Sequence, residues 1–140
     1  MELKIQKLHD AAKLPSYAHD TDAGLDLYAV ETMSIQAGQR AQIPIGIALA
    51  IPQGYVGLIW DKSGLSHKAG LKTLGGVVDA GYRGEIFIGI LNTSDAQYVC
   101  TAGDKIAQML IQKVEQPQLV VVDTLEDTTR GVGAFGSTGK

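Results

Sequence analysis

The C-terminal residues 130–140 carry side chains suited to binding an anion and an aromatic ring. Arg130 offers a planar set of donors to phosphate oxygens, and the hydroxyls of Ser137 and Thr138 can add hydrogen bonds. The segment also contains Phe135 and four glycines, and glycine loses more conformational freedom on folding than any other residue. We interpret the segment as a lid that orders over a phosphorylated aromatic ligand. The alternative is a disordered terminus, as is common at chain ends.

An aspartate in a predicted strand is a candidate metal ligand. Asp26 alternates with Leu25 and Leu27, so its carboxylate points away from the apolar face of the strand. It could hold a divalent cation directly or through water, because Mg²⁺ in proteins usually keeps several waters. The alternative is an ordinary solvent-exposed aspartate. A zinc site is not expected, because the three histidines show no ligand spacing and the chain has one cysteine.

Two further segments carry groups that could bind phosphate. The first is the polar loop at 61–68, where Lys62, Ser63, Gly64 and adjacent N–H groups could cradle an anion. A solvated turn would explain the same residues. The second is Gln108, which shares a predicted strand face with apolar side chains. A glutamine in such surroundings needs a hydrogen-bond partner, and a bound ligand could be that partner.

The segment from Gly75 to Glu85 combines a carboxylate with an aromatic ring at a glycine-bounded turn. Asp79 follows the apolar Val78 and comes within reach of Tyr82 if the segment folds as a hairpin. A carboxylate there could accept a proton from water, an effect worth about 10²–10⁴ in rate. The ring of Tyr82 could support a sugar. The alternative is a hairpin turn in which the aspartate makes local hydrogen bonds.

Composition limits the classes of protein and partner. The 140 residues, 45% of them hydrophobic, suffice for one domain with a real core, which we assign to 1–129, followed by a flexible lid at 130–140. The net charge of −3 provides no general attraction for nucleic acid or an acidic membrane. A lone cysteine, Cys100, excludes an internal disulfide and, with no signal-peptide pattern at the start, favours the cytoplasm or another reducing compartment.

The elements that must position these residues are predicted to be strands. Apolar residues alternate from Ile43 to Ile51, which predicts a half-buried strand, and Pro44 indicates an edge or a bulge. The run from Ile86 to Leu91 is almost continuously apolar, as in a strand covered on both faces. Other predicted elements are strands near Leu3–Ile5, Leu25–Leu27, Ile106–Val114 and Leu119–Val122 and a short helical turn at Ser63–Ala69. The chain is predicted to be all-β, a sandwich or jelly roll.

Taken in their order along the chain, the five polar segments resemble the five motifs of the trimeric dUTP diphosphatases (dUTPases), from about Ala23 to the C-terminus. The resemblance implies a distorted jelly-roll-like β-barrel or sandwich assembled as a homotrimer. Each active site would draw on all three subunits, with the C-terminal arm of one closing over a neighbour's site. The implied reaction is Mg²⁺-assisted hydrolysis of dUTP to dUMP and pyrophosphate, which limits uracil in DNA.

The resemblance also implies a role for each matching residue. Asp79 would activate the water that attacks the α-phosphate, and Asp26 would position Mg²⁺ through water. Tyr82 would lie under the deoxyribose and exclude a 2′-hydroxyl. The other residues would bind the substrate: Gly76, Val77 and Val78 at the uracil edge, Lys62, Ser63, Gly64 and Gln108 at the phosphates, Arg130 at the γ-phosphate, Phe135 on the uracil face, and Gly136, Ser137 and Thr138 along the phosphates.

Three positions depart from the family's usual residues. Lys62 stands where arginine is usual, and Lys105 where arginine is common. Lysine keeps the charge but loses the bidentate fork, so phosphate affinity is expected to be weaker or differently arranged. Ala134 replaces a usual tail glycine, which restricts the backbone there.

Two other functions are alternatives to hydrolysis of dUTP: deamination of dCTP and a non-catalytic role. The dCTP deaminases share the fold but place a catalytic glutamate in the strand after the hairpin, where this chain has Gly89. A non-catalytic β trimer would be favoured by loss of Asp79 or Arg130, and both are present. The sequence therefore favours the diphosphatase.

Overall fold

A computed structural model describes residues 1–134 of the chain. The predicted lid residues Phe135, Gly136, Ser137 and Thr138 lie outside the described residues. The described part contains eleven strands and one short helix, which confirms the all-β prediction. In chain order the elements are β1 Lys4–Lys7, β2 Leu25–Tyr28, β3 Met33–Ile35, β4 Arg40–Pro44, β5 Ile47–Ala50, β6 Tyr55–Trp60, α1 Ser63–Ala69, β7 Leu71–Leu74, β8 Val77–Val78, β9 Phe87–Asn92, β10 Tyr98–Cys100 and β11 Lys105–Lys113.

The strands form four antiparallel sheets in the described residues. The largest has the order β2-β11-β6-β8, and a three-stranded sheet has the order β4-β9-β7. Two smaller pairs join β1 to β5 and β10 to β3. Neighbours in the sheets are mostly distant in the sequence, as in a jelly roll. The four-stranded sheet matters most for function, because it carries the segments of Asp26, Gln108 and Val78.

The alternating run from Ile43 to Ile51 forms two strands, not the one that was predicted. β4 ends at Pro44 and β5 begins at Ile47, so the chain changes sheet between them. Gly46 makes this change possible with φ of 67°, and a Cβ there would lie 2.9 Å from the Cβ of Ala12. β4 is an edge strand of its sheet, which confirms the interpretation of Pro44.

Two other strand predictions differ from the structure. In β9 only alternate side chains are buried, and Phe87 is 46% exposed, so a single protomer covers one face of this strand, not both. Leu119–Val122 forms no strand. A strand needs a partner for its N–H and C=O groups, and the described protomer provides none to these exposed apolar residues.

The core lies between the sheets and is mainly aliphatic. Two polar side chains are buried in the described part of the chain, Asn92 and Asp26. Asn92 donates hydrogen bonds from Nδ2 to the carbonyls of Ile35 and Ala96, so its burial is fully explained by the fold. The largest fully buried apolar side chains are those of Leu27, Ile35, Ile43, Ile45, Ile47, Ile88, Ile90, Cys100 and Met109.

Candidate active site

Five residues predicted to bind the nucleoside or activate water line one cavity of about 270 Å³. We call them the turn site: Gly76, Val77, Val78, Asp79 and Tyr82. β8 places Val78 opposite Gly57 of β6. Gly76 has φ of 107°, and a Cβ there would lie 2.8 Å from the carbonyl oxygen of Ile59. The close approach of these two strands therefore requires glycine.

Asp79 and Tyr82 lie on one turn, as the sequence predicted. The N–H of Tyr82 donates to the carbonyl oxygen of Asp79 at 3.1 Å. The hydroxyl of Tyr82 donates to the carbonyl oxygen of Glu85 at 2.8 Å, which fixes the ring. The carboxylate of Asp79 is exposed and makes no ion pair or side-chain hydrogen bond within the described residues. Its oxygens are therefore accessible to water at the cavity.

A second group of charged residues forms around Asp26, which is 3% exposed. Its Oδ1 pairs with the ammonium of Lys62, and Lys105 Nζ lies 2.7 Å from Oδ2. We call Asp26, Lys62 and Lys105 the lysine cluster. With both lysines and the aspartate ionised, it carries one excess positive charge. It thus suits phosphate oxygens, for which lysine serves as a point charge.

The charge states of the lysine cluster follow from its geometry. Burial alone raises the pKa of the Asp26 carboxyl, but Lys105 and Lys62 outweigh burial and hold the pKa below its ordinary value. The same contact raises the pKa of Lys105, because the carboxylate stabilises its ammonium form. Asp26 therefore stays ionised at neutral pH. A carboxylate held by two ammonium groups is a poor proton acceptor.

Lys62 immediately precedes α1, so the predicted phosphate loop includes the start of a helix. Lys62 has extended backbone angles, and no side chain caps the first turn of the helix. Ser63 and Gly64 occupy that first turn, where N–H groups lack intrahelical partners. The Ser63 hydroxyl and these N–H groups can bind the same anion as Lys62. The residues of the loop prediction are thus close together, as expected.

Gln108 lies in β11 between two strands, opposite Asp26 of β2 and Trp60 of β6. Its Nε2 donates to the carbonyl oxygen of Asp61 at 2.8 Å. Gln108 therefore has a hydrogen-bond partner in the protein itself, where the sequence predicted that a ligand could be the partner. The bond holds Gln108 beside the loop of Lys62, and a cavity of about 430 Å³ lies next to it, lined partly by Trp60 and Asp61.

The turn site and the lysine cluster of one protomer are far apart. Asp26, Gln108 and Trp60 are in register across three strands, and Val78 faces Gly57 on the far side of β6. At about 4.8 Å between strands and 3.3 Å per residue, Asp26 and Val78 are roughly 17 Å apart. Asp79 therefore does not face the lysine cluster of its own protomer.

Arg130 is exposed and belongs to a short turn near the end of the described residues. Its Nε donates to the carbonyl oxygen of Gly133 at 3.0 Å, and Gly133 N–H donates to the carbonyl oxygen of Arg130 at 3.1 Å. Within residues 1–134, Arg130 makes no ion pair or hydrogen bond with the turn site or the lysine cluster.

Asp26 fits a metal held through water better than one bound directly. No group of three or more potential metal-binding side chains occurs within residues 1–134. Both oxygens of Asp26 face ammonium groups, which oppose a directly bound cation. However, Oδ2 is buried and receives no well-aligned hydrogen bond from residues 1–134, since the 2.7 Å contact with Lys105 is an ion pair of poor alignment. A metal-bound water could donate to that oxygen after the Lys105 side chain moves aside, since the atom is covered in this arrangement.

Comparison with known proteins identifies the family. A family model described as dUTPase matches residues 10–139. The chain belongs to the dUTPase family. It is 48% identical over 145 residues to the deoxyuridine 5′-triphosphate nucleotidohydrolase of Mycolicibacterium vanbaalenii, covering 98% of this chain and 94% of that protein. It is 47% identical over 142 residues to the same enzyme of Thermobifida fusca, covering 99% of this chain and 79% of that protein.

Solved dUTPase structures share the fold. A mutant dUTPase of Staphylococcus bacteriophage 80alpha with dUpNHpp is 32% identical, with a TM-score of 0.94 and coverage of 99% of each chain. A mutant dUTPase of phage phi11 of S. aureus, solved with a structural Mg(II) ion, is 31% identical, with a TM-score of 0.86 and coverage of 91% of this chain and 100% of that one. The distorted jelly-roll prediction is thus confirmed, and family membership indicates use of a divalent metal.

Two residues of this dUTPase were not assigned a site role from sequence. Lys105 was noted only as a departure from arginine, and Asp61 only as the start of a loop. Lys105 reaches Asp26 because a bulge lies near its end of β11, opposite β2, and no local pattern predicts that register. Among residues 1–134, no helix is long and apolar enough to cross a membrane.

Proposed function

We propose that the chain hydrolyses dUTP to dUMP and pyrophosphate by in-line attack of an Asp79-activated water on the α-phosphate. The observation that carries this assignment is the contrast between two carboxylates. Asp79 is exposed beside a cavity and has no cationic partner in residues 1–134. Asp26 is buried and paired with two lysines. Of these two carboxylates, Asp79 is therefore the one that we assign as the general base.

The turn site would recognise the nucleoside. The backbone of Gly76, Val77 and Val78 lines the cavity and can match the carbonyls and N–H of uracil. Tyr82, fixed through its hydroxyl, would lie under the deoxyribose and leave no room for a 2′-hydroxyl. Because the Tyr82 ring is already fixed, it loses less conformational entropy on binding than a mobile ring would, and it can exclude a sugar with a 2′-hydroxyl.

The lysine cluster and α1 would bind the phosphates. Four residues lie around one loop: Lys62, Ser63, Gly64 and Gln108. The charge of Lys62 and the hydrogen-bond donors of the group would offset the negative charge that moves among the phosphate oxygens during the reaction. Most of the catalytic effect would come from placing water, phosphorus and leaving group in line, since phosphoryl transfer asks little covalent chemistry of the protein.

Mg²⁺ is the metal that we propose for this reaction. Bound to the triphosphate, it would polarise phosphoryl oxygens and offset their charge. After Lys105 moves aside, Asp26 would accept a hydrogen bond from a metal-bound water through its Oδ2, while Lys62 would hold the carboxylate through Oδ1. Support comes from the phage phi11 relative, which contains a structural Mg(II) ion.

We propose that the active unit is a homotrimer. Asp26 and Val78, the residue before Asp79, are roughly 17 Å apart in one protomer, so one nucleotide would use the turn site of one copy and the lysine cluster of another. Leu119, Val121 and Leu125 are 90%, 98% and 87% exposed. An apolar segment of this kind gains stability by packing on a neighbouring copy.

The C-terminal residues would complete the site as an arm from a third copy. Arg130 would meet the γ-phosphate, Phe135 would stack on uracil, and Gly136, Ser137 and Thr138 would line the phosphates. The exposed guanidinium of Arg130, engaged only within its own turn in the described residues, is consistent with this role. Ordering such an arm would exclude water and retain the substrate.

A reducing intracellular compartment suits this chain. Its lone cysteine, Cys100, is fully buried, and burial together with Asp104 raises the pKa of its thiol to about 11. The thiol is therefore protonated and unreactive at neutral pH. With a net charge of −3 we propose neither nucleic acid nor a membrane as a partner.

Pyrophosphate release from dUTP, UTP, dTTP and dCTP in the presence of Mg²⁺ tests this function. We expect dUTP to be strongly preferred. Ammonia release from dCTP would instead favour the deaminase, and absence of turnover with all four nucleotides would favour a non-catalytic trimer. The mass in solution, measured separately, tests the homotrimer.

A further inference from the structure

Asp61 is fixed by four hydrogen bonds at the point where β6 leads into the phosphate loop. Its Oδ1 accepts from the N–H of Thr73 at 2.6 Å and from the hydroxyl of Thr73 at 2.7 Å. Its Oδ2 accepts from Lys72 Nζ at 2.7 Å. Its carbonyl oxygen accepts from Gln108 Nε2 at 2.8 Å. The side chain of Asp61 is thus hydrogen-bonded to β7 and its main chain to β11.

These bonds connect two sheets through one residue. Thr73 belongs to β7 in the three-stranded sheet, whereas Gln108 belongs to β11 in the four-stranded sheet. The residue after Asp61 is Lys62, which stands at the N-terminal boundary of α1 and pairs with Asp26. The main chain before the phosphate loop is therefore held from both sheets, and the lysine ammonium is held from β2.

The negative charge of the Asp61 carboxylate is also balanced by a neighbouring cation, Lys72. Burial alone raises its pKa, but Lys72 and the two donors of Thr73 outweigh burial and lower it. A free carboxylate beside a phosphate site would repel the substrate. Here Lys72 balances the charge, and the side chain of Asp61 is only 20% exposed.

We propose that Asp61 is a positioning residue for phosphate binding: it fixes the backbone that presents Lys62, Ser63 and Gly64 to the triphosphate. The inference rests on the proposed function for the identity of the substrate, but the anchor itself is a property of the loop. Binding energy depends on how well such donors are pre-organised. Loss of the anchor should therefore weaken binding of phosphates and spare recognition of the nucleoside.

The test compares Asp61→Ala with Asp61→Asn and with a control at the other end of α1. Asparagine keeps an oxygen acceptor for Thr73, whereas alanine removes every side-chain bond. The control is Thr93→Val, because the Thr93 hydroxyl donates to the carbonyl oxygen of Gly70 at 2.6 Å and so fastens the far end of the same helix. Calorimetric titration with inorganic tripolyphosphate measures the phosphate site alone. Inhibition of dUTP hydrolysis by deoxyuridine measures the nucleoside site.

We expect Asp61→Ala to weaken tripolyphosphate binding and raise the KM for dUTP by about tenfold each, with a smaller change in kcat. Asp61→Asn should stay within about threefold of the parent, because the retained acceptor preserves the bonds from Thr73. Thr93→Val should leave tripolyphosphate binding unchanged. Deoxyuridine inhibition should be equal in all the variants.

Parent-like tripolyphosphate binding in Asp61→Ala overturns the inference, and so does an equal loss in Thr93→Val. An equal loss of deoxyuridine inhibition would also overturn it, since this would indicate a general structural defect. If Asp61→Ala does not fold, Thr73→Val replaces it, because that change removes one donor and keeps the backbone bond; unchanged tripolyphosphate binding then counts against the anchor. If the parent protein releases no pyrophosphate from dUTP, the proposed function fails, while the tripolyphosphate titrations still decide the role of Asp61.

Discussion

The turn site is contained between Gly76 and Tyr82 of one turn, whereas the lysine cluster joins residues from β2, the start of α1 and β11. The first site forms as soon as β8 pairs with β6. The second requires three distant segments to reach the correct register. A site made from adjacent residues can be predicted from a sequence pattern, but one made by register cannot.

The two regions also differ in the state of their carboxylates. Asp79 is exposed and lacks a cationic partner in the described residues, whereas Asp26 is buried between two ammonium groups. On this difference we propose proton transfer for Asp79 and the holding of cations for Asp26. The two aspartates look alike in the sequence.

The largest effect is expected from Asp79→Asn. Removal of the base should lower kcat by about 10²–10⁴ while dUTP binding changes little, since asparagine has the same shape. Pyrophosphate release and the affinity for a non-hydrolysable dUTP analogue are the measurements. Asp95→Asn, at an exposed position outside both regions, is the matched control. Retention of more than a tenth of the activity would show that Asp79 is not the base.

Deletion of residues 130–140 should leave the turn site and the lysine cluster folded but should prevent them from acting together on one substrate. We expect the β fold and the trimer to persist and turnover to fall by roughly 10², because Arg130 and the ordering of the lid are lost. Circular dichroism, the mass in solution and pyrophosphate release measure these three properties. Unfolding of the truncated chain, or undiminished turnover, would contradict the lid.

Asp26→Asn tests whether the lysine cluster acts on the phosphates. Without the carboxylate the two lysines repel each other and lose their position, so the KM for dUTP should rise about tenfold and kcat should fall less. The Mg²⁺ concentration for half-maximal activity should rise as well. An unchanged KM, together with normal folding, would show that Asp26 does not position the phosphate site.

The lowered pKa of the Asp26 carboxyl also predicts how stability depends on pH. A carboxyl whose pKa falls on folding stabilises the native state above its unfolded pKa, about 3.9 for aspartate, and loses this contribution as pH falls through the folded value. We expect the free energy of unfolding to decline from about pH 4 downward, and to decline less steeply in Asp26→Asn. Urea titrations at several pH values measure both slopes, and equal slopes would contradict the pairing.

Lys62→Arg should produce the smallest change. Arginine offers two parallel donors where lysine offers a point charge, so phosphate affinity should increase by about two- to fivefold. Titration with tripolyphosphate measures this gain, and Lys68→Arg in the last turn of α1 serves as the control. A loss of affinity would indicate that the pairing of Lys62 with Asp26 requires the compact ammonium.

Much of the fold could be predicted because side-chain alternation is local. Leu25 and Leu27 identified β2, and the short helical turn predicted at Ser63–Ala69 is α1 with the same bounds. The division of the 43–51 run could not be predicted, because it depends on the contact between Gly46 and Ala12. Nor could the exposure of Leu119–Val122, since an apolar run signals burial without showing what covers it.

By itself the sequence determined the all-β class, the order of the five motifs and the joint position of Asp79 and Tyr82, because each depends on residues close together in the chain. The tertiary structure decided which carboxylate is free and which is paired. That outcome depends on the register of β11 with β2 and β6, which brings Lys105 and Gln108 to Asp26 and Asp61. Register is set by packing and hydrogen bonding over the whole sheet.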